Sequence, residues 1–526
     1  MRSLDLFYKR ECAIEDWGSA RKTTAIHWLR DHGMIALVLL FVAISAAIHL
    51  HTISIWYDEA ITLLTVSGHA QTDFTLGMEQ FKPSADLPRI TFDLYHQDVH
   101  PPLYFWTLAI WRVIWGPSLE AARSLSALFV LGTCLLLYIL ARLSKMKWPW
   151  IPAVIFAVSG VGEVYAWNMR PYAMASFLVV LEYLLAQRRS RWTGLCAAAS
   201  VATHYFAALC VGPILVLAMI QNWKSDRAWV KKTATTFALG MAPLLLLLRT
   251  HLAARPLQYS DFGPWYQELW ALLKGSITGV LPSSSLPGWG LTAMLAGGIA
   301  LLGIRWAWRQ GMRSVPLMYL GFVCGFLVLS IVTNKSIAKM PVEYYLGLGV
   351  PWLALLVGFG LNARPNLRPL YVVVVAAGMV TAAPLVTSPD YRSLASRIRT
   401  ACSDCVVVVG NGYAGAVPAC ILYESRGMKV VTANRGDTPQ MIADRAEEQG
   451  DRQPVIFVKT DEPPTAKAEE GFLRAYPSAW RGGYFEVFTE DGPTARIRGD
   501  GNNSMMGSNA IGAHEGLRRP ALPSAM

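Results

Sequence analysis

Long apolar runs separated by short loops occupy most of the chain and constrain its fold more than any other feature. A helix needs about 20 apolar residues to cross the hydrocarbon core of a bilayer, and most of these runs approach that length. Hydrophobic residues make up 53% of the chain and charged residues only 16%, against about 25% charged residues in a typical soluble protein. The sequence therefore predicts an α-helical polytopic membrane protein with about 11 transmembrane helices. The runs cover residues 33–53, 119–142, 149–167, 171–187, 192–203, 205–221, 233–249, 288–304, 314–333, 343–361 and 368–386.

The loops between the runs separate into a basic set and an acidic set. The basic loops hold 15 Lys and Arg against one acid, whereas the other loops hold seven Lys and Arg against ten acids. Basic loops remain in the cytoplasm under the positive-inside rule, so the acidic loops are predicted to lie outside. The net charge of +11 is explained by this orientation signal, and we expect no nucleic-acid partner. The basic loops are 142–148, 188–191, 222–232, 305–313 and 362–368, and the acidic loops are 51–100, 168–170, 250–287 and 334–343.

The loop charges also predict how the chain is divided. Residues 1–32 form a cytoplasmic N-terminal segment, and residues 33–388 form the transmembrane domain with a large outer loop at 51–118. The apolar stretch 101–116 is short, and counting it as a span would place the basic loops outside. We therefore predict a helix lying at the outer interface there. The run at 192–203 could be a span of its own or one half of a longer element with 205–221.

The composition changes after the last apolar run. Residues 389–498 alternate apolar strands with polar helical segments, which is typical of a small α/β domain. An odd number of spans places this domain outside the membrane. Residues 499–526 are rich in Gly, Asn, Ser and Pro and are predicted to form a disordered tail. The predicted strands are 406–410, 429–431, 454–458 and 484–488.

Two adjacent carboxylates, Asp58 and Glu59, follow the first apolar run. Acidic groups at the mouth of a membrane helix are costly to bury and usually have a task. Asp58 could take a proton from an acceptor hydroxyl as a general base, or it could hold a divalent cation, because carboxylates suit hard cations. The alternative is a solvated start of the loop.

The end of the same outer loop contains Asp98, His100, Pro101 and Pro102. Proline suits the first turn of a helix, so the two prolines predict a stiff entry into the interfacial helix. His100 could bond a phosphate or a carboxylate. A helix-start motif with a satisfied histidine explains the pattern equally well.

Further polar groups lie at later outer turns. Glu163 would supply another carboxylate near the same face, and the planar fork of Arg170 suits a phosphate because it donates hydrogen bonds in pairs. The alternative for Arg170 is a side chain that reaches lipid head groups. The other candidates for contact with phosphate are Tyr172, His204, Lys335 and Lys339.

The order of these motifs along the chain resembles that of the GT-C glycosyltransferases. The resemblance covers roughly residues 30–390 and is closest to the protein O-mannosyltransferase-like group, glycosyltransferase family 39, and to the aminoarabinose transferases that modify lipid A. It rests on the acidic pair after the first helix, the His-Pro-Pro motif, the Arg-Pro-Tyr at 170–172 and the His-Tyr at 204–205. It also rests on the α/β tail.

That resemblance implies a polyprenyl-phosphate sugar donor and inversion at the anomeric carbon. Asp58 would be the catalytic base or the carboxylate that orients the acceptor, with Glu59 beside it and Glu163 as the second outer-loop acid. The cationic residues, with Tyr172 and His204, would hold the donor phosphate. The acceptor would be a cell-envelope glycan, a lipid or a protein, and the location would be a bacterial-type plasma membrane.

One departure and one competing function accompany the resemblance. Relatives often carry Arg-Tyr where this chain has Tyr344 and Tyr345, so Lys339 would replace that contact to phosphate. The competing function is a lipid or glycan transporter or flippase. Transporters tend to show internal repeats and charged or broken helices near the midplane, whereas the candidate acids of this chain cluster in the outer loops. This distribution favours chemistry at the membrane surface.

Overall fold

The structure is a computed structural model, and it describes most of the apolar part of the chain together with parts of the C-terminal region. Residues 1–20 and 490–526, which include the predicted tail, lie outside the described residues. The described residues are 21–69, 75–76, 78–97, 99–254, 260–282, 289–336, 345–381, 390–401, 405–410, 416–425, 428–433, 441, 455–460, 478–482 and 485–489.

The chain is predominantly helical, as the apolar runs predict. Short 3-10 helices at Met78–Phe81, Tyr205–Ala207, Leu346–Gly349 and Pro365–Leu367 link several of the longer elements. The α-helices are α1 (Arg21–Thr52), α2 (Tyr57–Val66), α3 (Leu87–Gln97), α4 (Leu103–Trp115), α5 (Leu119–Leu143), α6 (Ile151–Ala157), α7 (Gly160–Trp167), α8 (Tyr172–Gln187), α9 (Thr193–Thr203), α10 (Ala208–Asn222), α11 (Arg227–Ala254), α12 (Trp265–Gly279), α13 (Trp289–Arg309), α14 (Ser314–Thr333), α15 (Val350–Ala363), α16 (Arg368–Thr381), α17 (Tyr391–Ala401) and α18 (Ala416–Ser425).

Within the described residues, seven helical segments are long and apolar enough to cross a membrane. The number rises to eight if α7 and α8, which meet at a bend of 115°, form one span. The sequence prediction was higher because the run 149–167 is divided into α6 and α7, and because α8, α9 and α16 are each too short for a full span within the described residues. The seven segments are His32–Thr52, Leu119–Leu143, Tyr205–Asn222, Arg227–His251, Gly290–Arg309, Ser314–Thr333 and Leu346–Ala363.

Two of the divisions have a local cause. Ser159 is extended, and its side chain accepts a hydrogen bond from the backbone N–H of Gly162, so it ends the run of α6 and caps the start of α7. His204 is also extended, with φ −157° and ψ 125°, and it separates α9 from the next helical segment. The stretch 192–203 is therefore a separate helix rather than half of one long element.

The predicted interfacial segment forms α4, which has two different faces. Arg112 is fully buried and donates hydrogen bonds to Ser67 Oγ at 2.9 Å and to the carbonyl of Phe81 at 2.5 Å. Burial lowers the pKa of Arg112 to about 10, so the guanidinium remains charged at neutral pH. Ile114 and Trp115 are exposed by more than 60%. An apolar outer face opposite a polar anchor is what a helix at a membrane interface needs.

The C-terminal part contains a six-stranded mixed sheet. β4 (Val406–Gly410) pairs in parallel with β5 (Lys429–Ala433) on one side and with β6 (Val455–Thr460) on the other. β8 (Phe485–Thr489) is antiparallel to β6, and β7 (Ser478–Gly482) forms the edge beside it. All four predicted strands are present, so the fold class is confirmed as a helical polytopic membrane protein with a small α/β domain.

The outer loop contributes the sixth strand of this sheet. β1 (Thr75–Leu76) lies antiparallel to β5, with Thr75 opposite Val431. A second, two-stranded sheet joins β2 (Ser260–Asp261) to β3 (Lys335–Ser336). The loop after α1 and the C-terminal domain therefore form one structural unit, an arrangement that the sequence did not predict.

The helices place the basic and acidic loops at opposite ends of the bundle. At one end Arg142 and Arg188 line the same cavity, and the indole N–H of Trp229 donates to the carbonyl of Ser190. At the other end the last residues of α1 meet the start of α5 and of α7. There His51 lies 3.6 Å from Glu120, and His49 lies 3.3 Å from Glu163.

Two apolar cores follow from this layout. The first lies inside the helix bundle and is formed by side chains from α1 and from α5 through α16. The second lies beyond the end of α1 and joins the outer loop to the C-terminal domain. Its buried members include Ile55, Leu63, Phe105, Met169, Leu394, Val407 and Ile421.

Candidate active site

Asp58 is the second residue of α2, whose N-cap is the extended residue Trp56. The free N–H groups at a helix start carry partial positive charge and favour a carboxylate. The side chain of Asp58 is 22% exposed, so a ligand can reach it. This position is suited to a carboxylate that reacts and not only supports the fold.

Arg170 meets Asp58 from a different part of the chain. It lies in the turn where α7 ends and α8 begins at a bend of 115°. Its Nε is 3.9 Å from Asp58 Oδ2, and its Nη1 donates to Thr62 Oγ1 at 3.0 Å. The side chain is 6% exposed. The two residues that the sequence placed on one face of the membrane are therefore neighbours.

His100 and His204 extend this cluster. Arg170 Nη2 lies 3.2 Å from His100 Nε2, and because a guanidinium only donates, that nitrogen of His100 accepts. The imidazole rings of His100 and His204 are 5.9 Å apart between centroids. The site thus joins residues from the end of the outer loop and from the turn after α9.

His204 is held in its neutral form. It lies in a turn outside the spanning helices, where burial first and then the nearby His100 and Arg170 lower its pKa well below the usual 6.5. Its Nδ1 accepts a hydrogen bond from the backbone N–H of Phe206 at 3.2 Å. The proton therefore resides on Nε2, and His204 offers a hydrogen-bond donor without a charge.

Aromatic rings form the wall beside His204. The ring of Tyr172 is 5.1 Å from that of His204 and stacks on Tyr165 at 5.8 Å. Tyr345 is 5.7 Å from His204 and stacks on Phe206 at 4.3 Å. Tyr345 thus joins Tyr172 and His204 in one wall.

Glu59 differs from its neighbour Asp58 in every contact. It is fully buried, and Arg123 binds it through Nε to Oε1 at 2.9 Å and through Nη2 to Oε2 at 2.5 Å. The backbone N–H of Met169 also donates to Oε1 at 3.0 Å. Both carboxylate oxygens are therefore engaged inside the protein, and Glu59 is placed to position Asp58 and Arg170 rather than to touch a substrate.

Arg123 is the most important residue that sequence reasoning missed. Besides Glu59, it donates to the backbone carbonyls of Ile53 and Ser54 at 2.8 and 3.0 Å. It thereby ties the end of α1 to α2 and α5. The available signal was a charged residue near the start of an otherwise apolar run, because such a residue requires a partner.

The remaining candidates lie around this cluster or outside it. Glu163 lies in the first turn of α7, and its carboxylate contacts His49 at the end of α1. Lys335 lies in β3 opposite Asp261, in the two-stranded sheet. Glu163 thus lies at the same end of the bundle as Asp58. Lys335 lies in the two-stranded sheet, in β3 directly after α14.

The His-Pro-Pro motif behaves as a helix entry. Pro101 and Pro102 are buried, and α4 begins at Leu103 immediately after them. The prolines therefore fix the chain that presents His100 to Arg170. Asp98 and Lys339 lie outside the described residues.

The side chains around Asp58 bear on the predicted divalent cation. Among the residues that the structure describes, no group of three His, Cys, Asp or Glu side chains is arranged to hold a metal ion. The Arg170 guanidinium also lies beside Asp58, and a fixed positive charge opposes a second cation there. The metal requirement of the site stays a prediction.

Comparisons with known proteins give structural neighbours only. No model of a known protein family matches this chain, and a search of curated protein sequences gives no match either. Two crystal structures of ArnT from Cupriavidus metallidurans are similar to it. The apo form has a TM-score of 0.40 and 11% identity, covering 87% of this chain and 98% of ArnT. The form bound to undecaprenyl phosphate has a TM-score of 0.41 and 12% identity, covering 87% and 97%.

Proposed function

We propose that this chain is an inverting glycosyltransferase that moves a sugar from a polyprenyl-phosphate donor to an acceptor on the outer face of the membrane. The observation that carries the proposal is the pair of Asp58 and Arg170, whose side chains lie 3.9 Å apart at one end of an apolar helix bundle. A carboxylate that a ligand can reach and a fixed cation lie together at one membrane border. Sugar transfer needs both, because the acceptor hydroxyl loses a proton and negative charge develops on the leaving phosphate.

The carboxylate acts on the acceptor. Asp58 accepts the proton of an acceptor hydroxyl as general base, and the freed oxygen attacks the anomeric carbon of the sugar. The bond from that carbon to the phosphate oxygen breaks, and its electron pair leaves with the polyprenyl phosphate. A single displacement of this kind inverts the anomeric centre. For an acceptor phosphate, which needs no base, Asp58 orients the nucleophile instead.

The cationic side of the cluster acts on the leaving group. Negative charge grows on the donor phosphate as the bond breaks, and fixed donors aimed at developing charge stabilise a transition state. Arg170 supplies the positive charge, and its contacts with Thr62 and His100 hold it in place. The Nε2–H of neutral His204 adds a donor, and Tyr172 adds an aromatic face beside it.

The membrane border explains the choice of donor. The cluster lies where α1 ends and where α5 and α8 begin, so an isoprenoid chain can stay among apolar helices while its phosphate reaches Arg170. The basic loops collect at the opposite end, and under the positive-inside rule this supports an outer location for the cluster. The acceptor is a cell-envelope glycan, lipid or protein, and the location is the bacterial-type plasma membrane.

A transfer assay with purified protein tests this function. The protein in detergent is given a panel of labelled polyprenyl-phosphate sugars with envelope lipids and glycans as acceptors. We expect a labelled product with inverted anomeric configuration, together with free polyprenyl phosphate, and mass spectrometry of envelopes with and without the gene identifies the acceptor. Absence of transfer across the whole panel, with no envelope difference between the two strains, contradicts the proposal.

One observation favours the competing transporter function. Glu182 is fully buried in α8, and neither carboxylate oxygen has a hydrogen-bond partner among the described residues. Ionisable groups inside a membrane helix often mark a transport pathway. A transporter would move a fluorescent lipid-linked sugar across vesicles without cleaving it, and Glu182→Gln would stop that movement. A glycosyltransferase would release polyprenyl phosphate, and Glu182→Gln would leave the release largely intact.

A further inference from the structure

A buried carboxylate of the C-terminal domain binds the segment that leads into α2. Glu424 Oε1 accepts hydrogen bonds from Ser54 Oγ at 3.1 Å and from the backbone N–H of Ile55 at 3.0 Å. Its Oε2 accepts from Arg392 Nε at 3.2 Å. The side chain of Glu424 is only 8% exposed. One carboxylate thus holds three donors, two of them just before the turn that carries Asp58.

Arg392 strengthens the same attachment from α17. Its backbone N–H donates to Ser54 Oγ at 3.2 Å, and its Nη1 donates to the carbonyl of His51. That carbonyl belongs to the last turn of α1, where a cation interacts favourably with the helix dipole. The C-terminal domain therefore grips both the end of α1 and the start of the loop.

The loop is held at a second point by the same domain. β1 adds itself to the edge of β5, with Thr75 opposite Val431. Between the two attachments, α2 packs on α18, and Leu63 shares a buried core with Ile421. The described parts of the segment 54–76, which include Asp58, are thus held at residues 54 and 55, along α2 and at β1.

The helix α18 packs directly against α2, the helix that carries Asp58. Burial raises the pKa of the Cys420 thiol, and the neighbouring charges of Glu59, Glu424 and Asp58 raise it further. The thiol on α18 therefore lies within electrostatic reach of both acids of the site. A small movement of α18 would shift the start of α2 together with Asp58.

We propose that Glu424 is a positioning residue, through which the C-terminal domain sets the carboxylate of Asp58 against Arg170. This inference rests on the proposed transferase function. Hydrogen bonds to an ionised carboxylate are roughly twice as strong as neutral ones, and a misplacement of about 1 Å in an active site can lower the rate about 100-fold. The C-terminal domain is accordingly part of the catalytic architecture.

The central variant is Glu424→Gln, which keeps the size of the side chain but removes the charge that binds Arg392. We expect kcat to fall about 10- to 100-fold, while KM for the donor changes by less than about twofold, because the phosphate-binding side of the site is intact. The charge-preserving variant Glu424→Asp should restore part of the loss. Steady-state transfer kinetics with a labelled polyprenyl-phosphate sugar measures each value.

Asp390→Asn is the matched control. Asp390 lies in the same domain, and its Oδ1 accepts from the backbone N–H of Ser393 at the start of α17. The control weakens a helix cap of the domain without removing the contacts of Glu424. We expect its kcat to stay within about twofold of wild type, since one cap costs about 1 kcal/mol of stability. Hydrogen exchange in residues 54–66 should accelerate in Glu424→Gln but not in the control.

The outcomes separate the two proposals. If Asp58→Asn transfers sugar at the wild-type rate, the transferase mechanism itself fails, whatever Glu424→Gln does. If Asp58→Asn is inactive but Glu424→Gln equals Asp390→Asn in kcat and in hydrogen exchange, Glu424 is only an anchor and the positioning role is wrong. Should Glu424→Gln fail to fold, Ser54→Ala replaces it as the test. Ser54→Ala removes the hydrogen bond to Glu424 and the one accepted from the backbone N–H of Arg392, which should lower kcat about 2- to 10-fold. An unchanged kcat overturns the inference.

Discussion

The helix bundle and the layer outside it are built on different physical principles. The core of the bundle is mostly apolar, with the buried Glu182 as an exception, and its helices approach closely through glycines, as where Gly303 of α13 faces the backbone of α15 at Leu356. The outer layer, formed by the loop after α1 and the C-terminal domain, has charged side chains at its centre. Glu59 pairs there with Arg123 of α5, and both side chains are fully buried, whereas the buried Glu424 pairs with the partly exposed Arg392.

This difference shows which region of the protein requires one exact arrangement of its side chains. Apolar packing tolerates changes of side chain as long as volume and pattern are kept. A buried ion pair is favourable only when every partner is in place, because an unpaired buried charge costs several kcal/mol. The outer layer therefore accepts one arrangement, and that arrangement sets Asp58 against Arg170. The bundle supplies the platform and the membrane location.

Replacing the reacting carboxylate gives the largest expected effect. Asp58→Asn removes the proton acceptor and should lower kcat about 100- to 10,000-fold, the usual contribution of a general base. The thermal unfolding temperature should hardly change, since Asp58 is partly exposed. Transfer of labelled sugar by purified protein measures the rate.

The matched control for that variant is Asp86→Asn in the same loop, where Asp86 caps the backbone N–H of Arg89. The control should transfer sugar at nearly the wild-type rate. Equal rates for the two variants would remove Asp58 from the mechanism.

Breaking the buried pair tests the outer layer itself. Arg123→Met leaves the carboxylate of Glu59 buried without its cation and should cost about 3–5 kcal/mol of unfolding free energy. Changing Glu59 to Leu in the same protein should restore much of that stability. Activity should stay low, because Met169 N–H and the carbonyls of Ile53 and Ser54 still lack their partner.

Thermal unfolding in detergent and the transfer assay provide the two measurements for this series. Arg142→Met is the control on the same helix, since Arg142 is exposed at the other end of α5. If Arg142→Met lowers the free energy of unfolding as much as Arg123→Met does, the buried pair contributes no more to stability than an exposed arginine.

A glycine substitution tests the bundle. A methyl group on Gly303 would lie 1.8 Å from the carbonyl oxygen of Leu356, so Gly303→Ala should push α13 from α15 and cost about 1–3 kcal/mol. KM and kcat of the folded fraction should be nearly unchanged. Gly298→Ala on the same helix meets no atom within 4 Å and should not lower the unfolding temperature, since alanine favours a helix more than glycine does. A large change in kcat for Gly303→Ala would mean that the bundle and the site are not separable.

The smallest effect concerns pH. The lowered pKa of His204 means that the unfolded chain, with a pKa near 6.5, binds a proton more readily than the folded protein. Stability from this residue is therefore intact above pH 6.5 and lost as pH falls below it, by at most about 1.4 kcal/mol per pH unit. His204→Gln should flatten the fall in unfolding temperature below pH 6.5. An identical pH profile for wild type and variant would contradict the neutral, buried state.

The sequence predicted the elements whose signal is local. Runs of apolar residues gave the helices, valine-rich stretches such as Val406–Gly410 gave the strands, and the charge of the loops placed Asp58 and Arg170 at one end. The division of the run 149–167 at Ser159 was missed, because a single extended residue inside an apolar run leaves no trace in its hydropathy. The division at His204 was left open, since the runs on either side of it could be separate or joined.

Long-range partners were beyond the reach of the pattern. Arg123 and Glu59 lie 64 residues apart in sequence, and Glu424 lies 370 residues from Ser54. Neither separation has a period or a motif, so the side chains that hold the site could not be paired. For the same reason Glu59 was predicted to share the role of Asp58, because the two residues are adjacent in sequence. In the structure Glu59 is fully buried, whereas Asp58 is partly exposed.

The attachment of Glu424 to Ser54 has a consequence for the order of events during synthesis. A ribosome adds about 5–20 residues per second, so roughly 20–70 s pass between the making of these two residues. During that interval the loop after α1 lacks Glu424, the residue whose carboxylate binds Ser54 and Ile55. A nascent chain of this protein thus acquires a finished membrane platform first, and its reactive centre only when α18 has been translated and has docked.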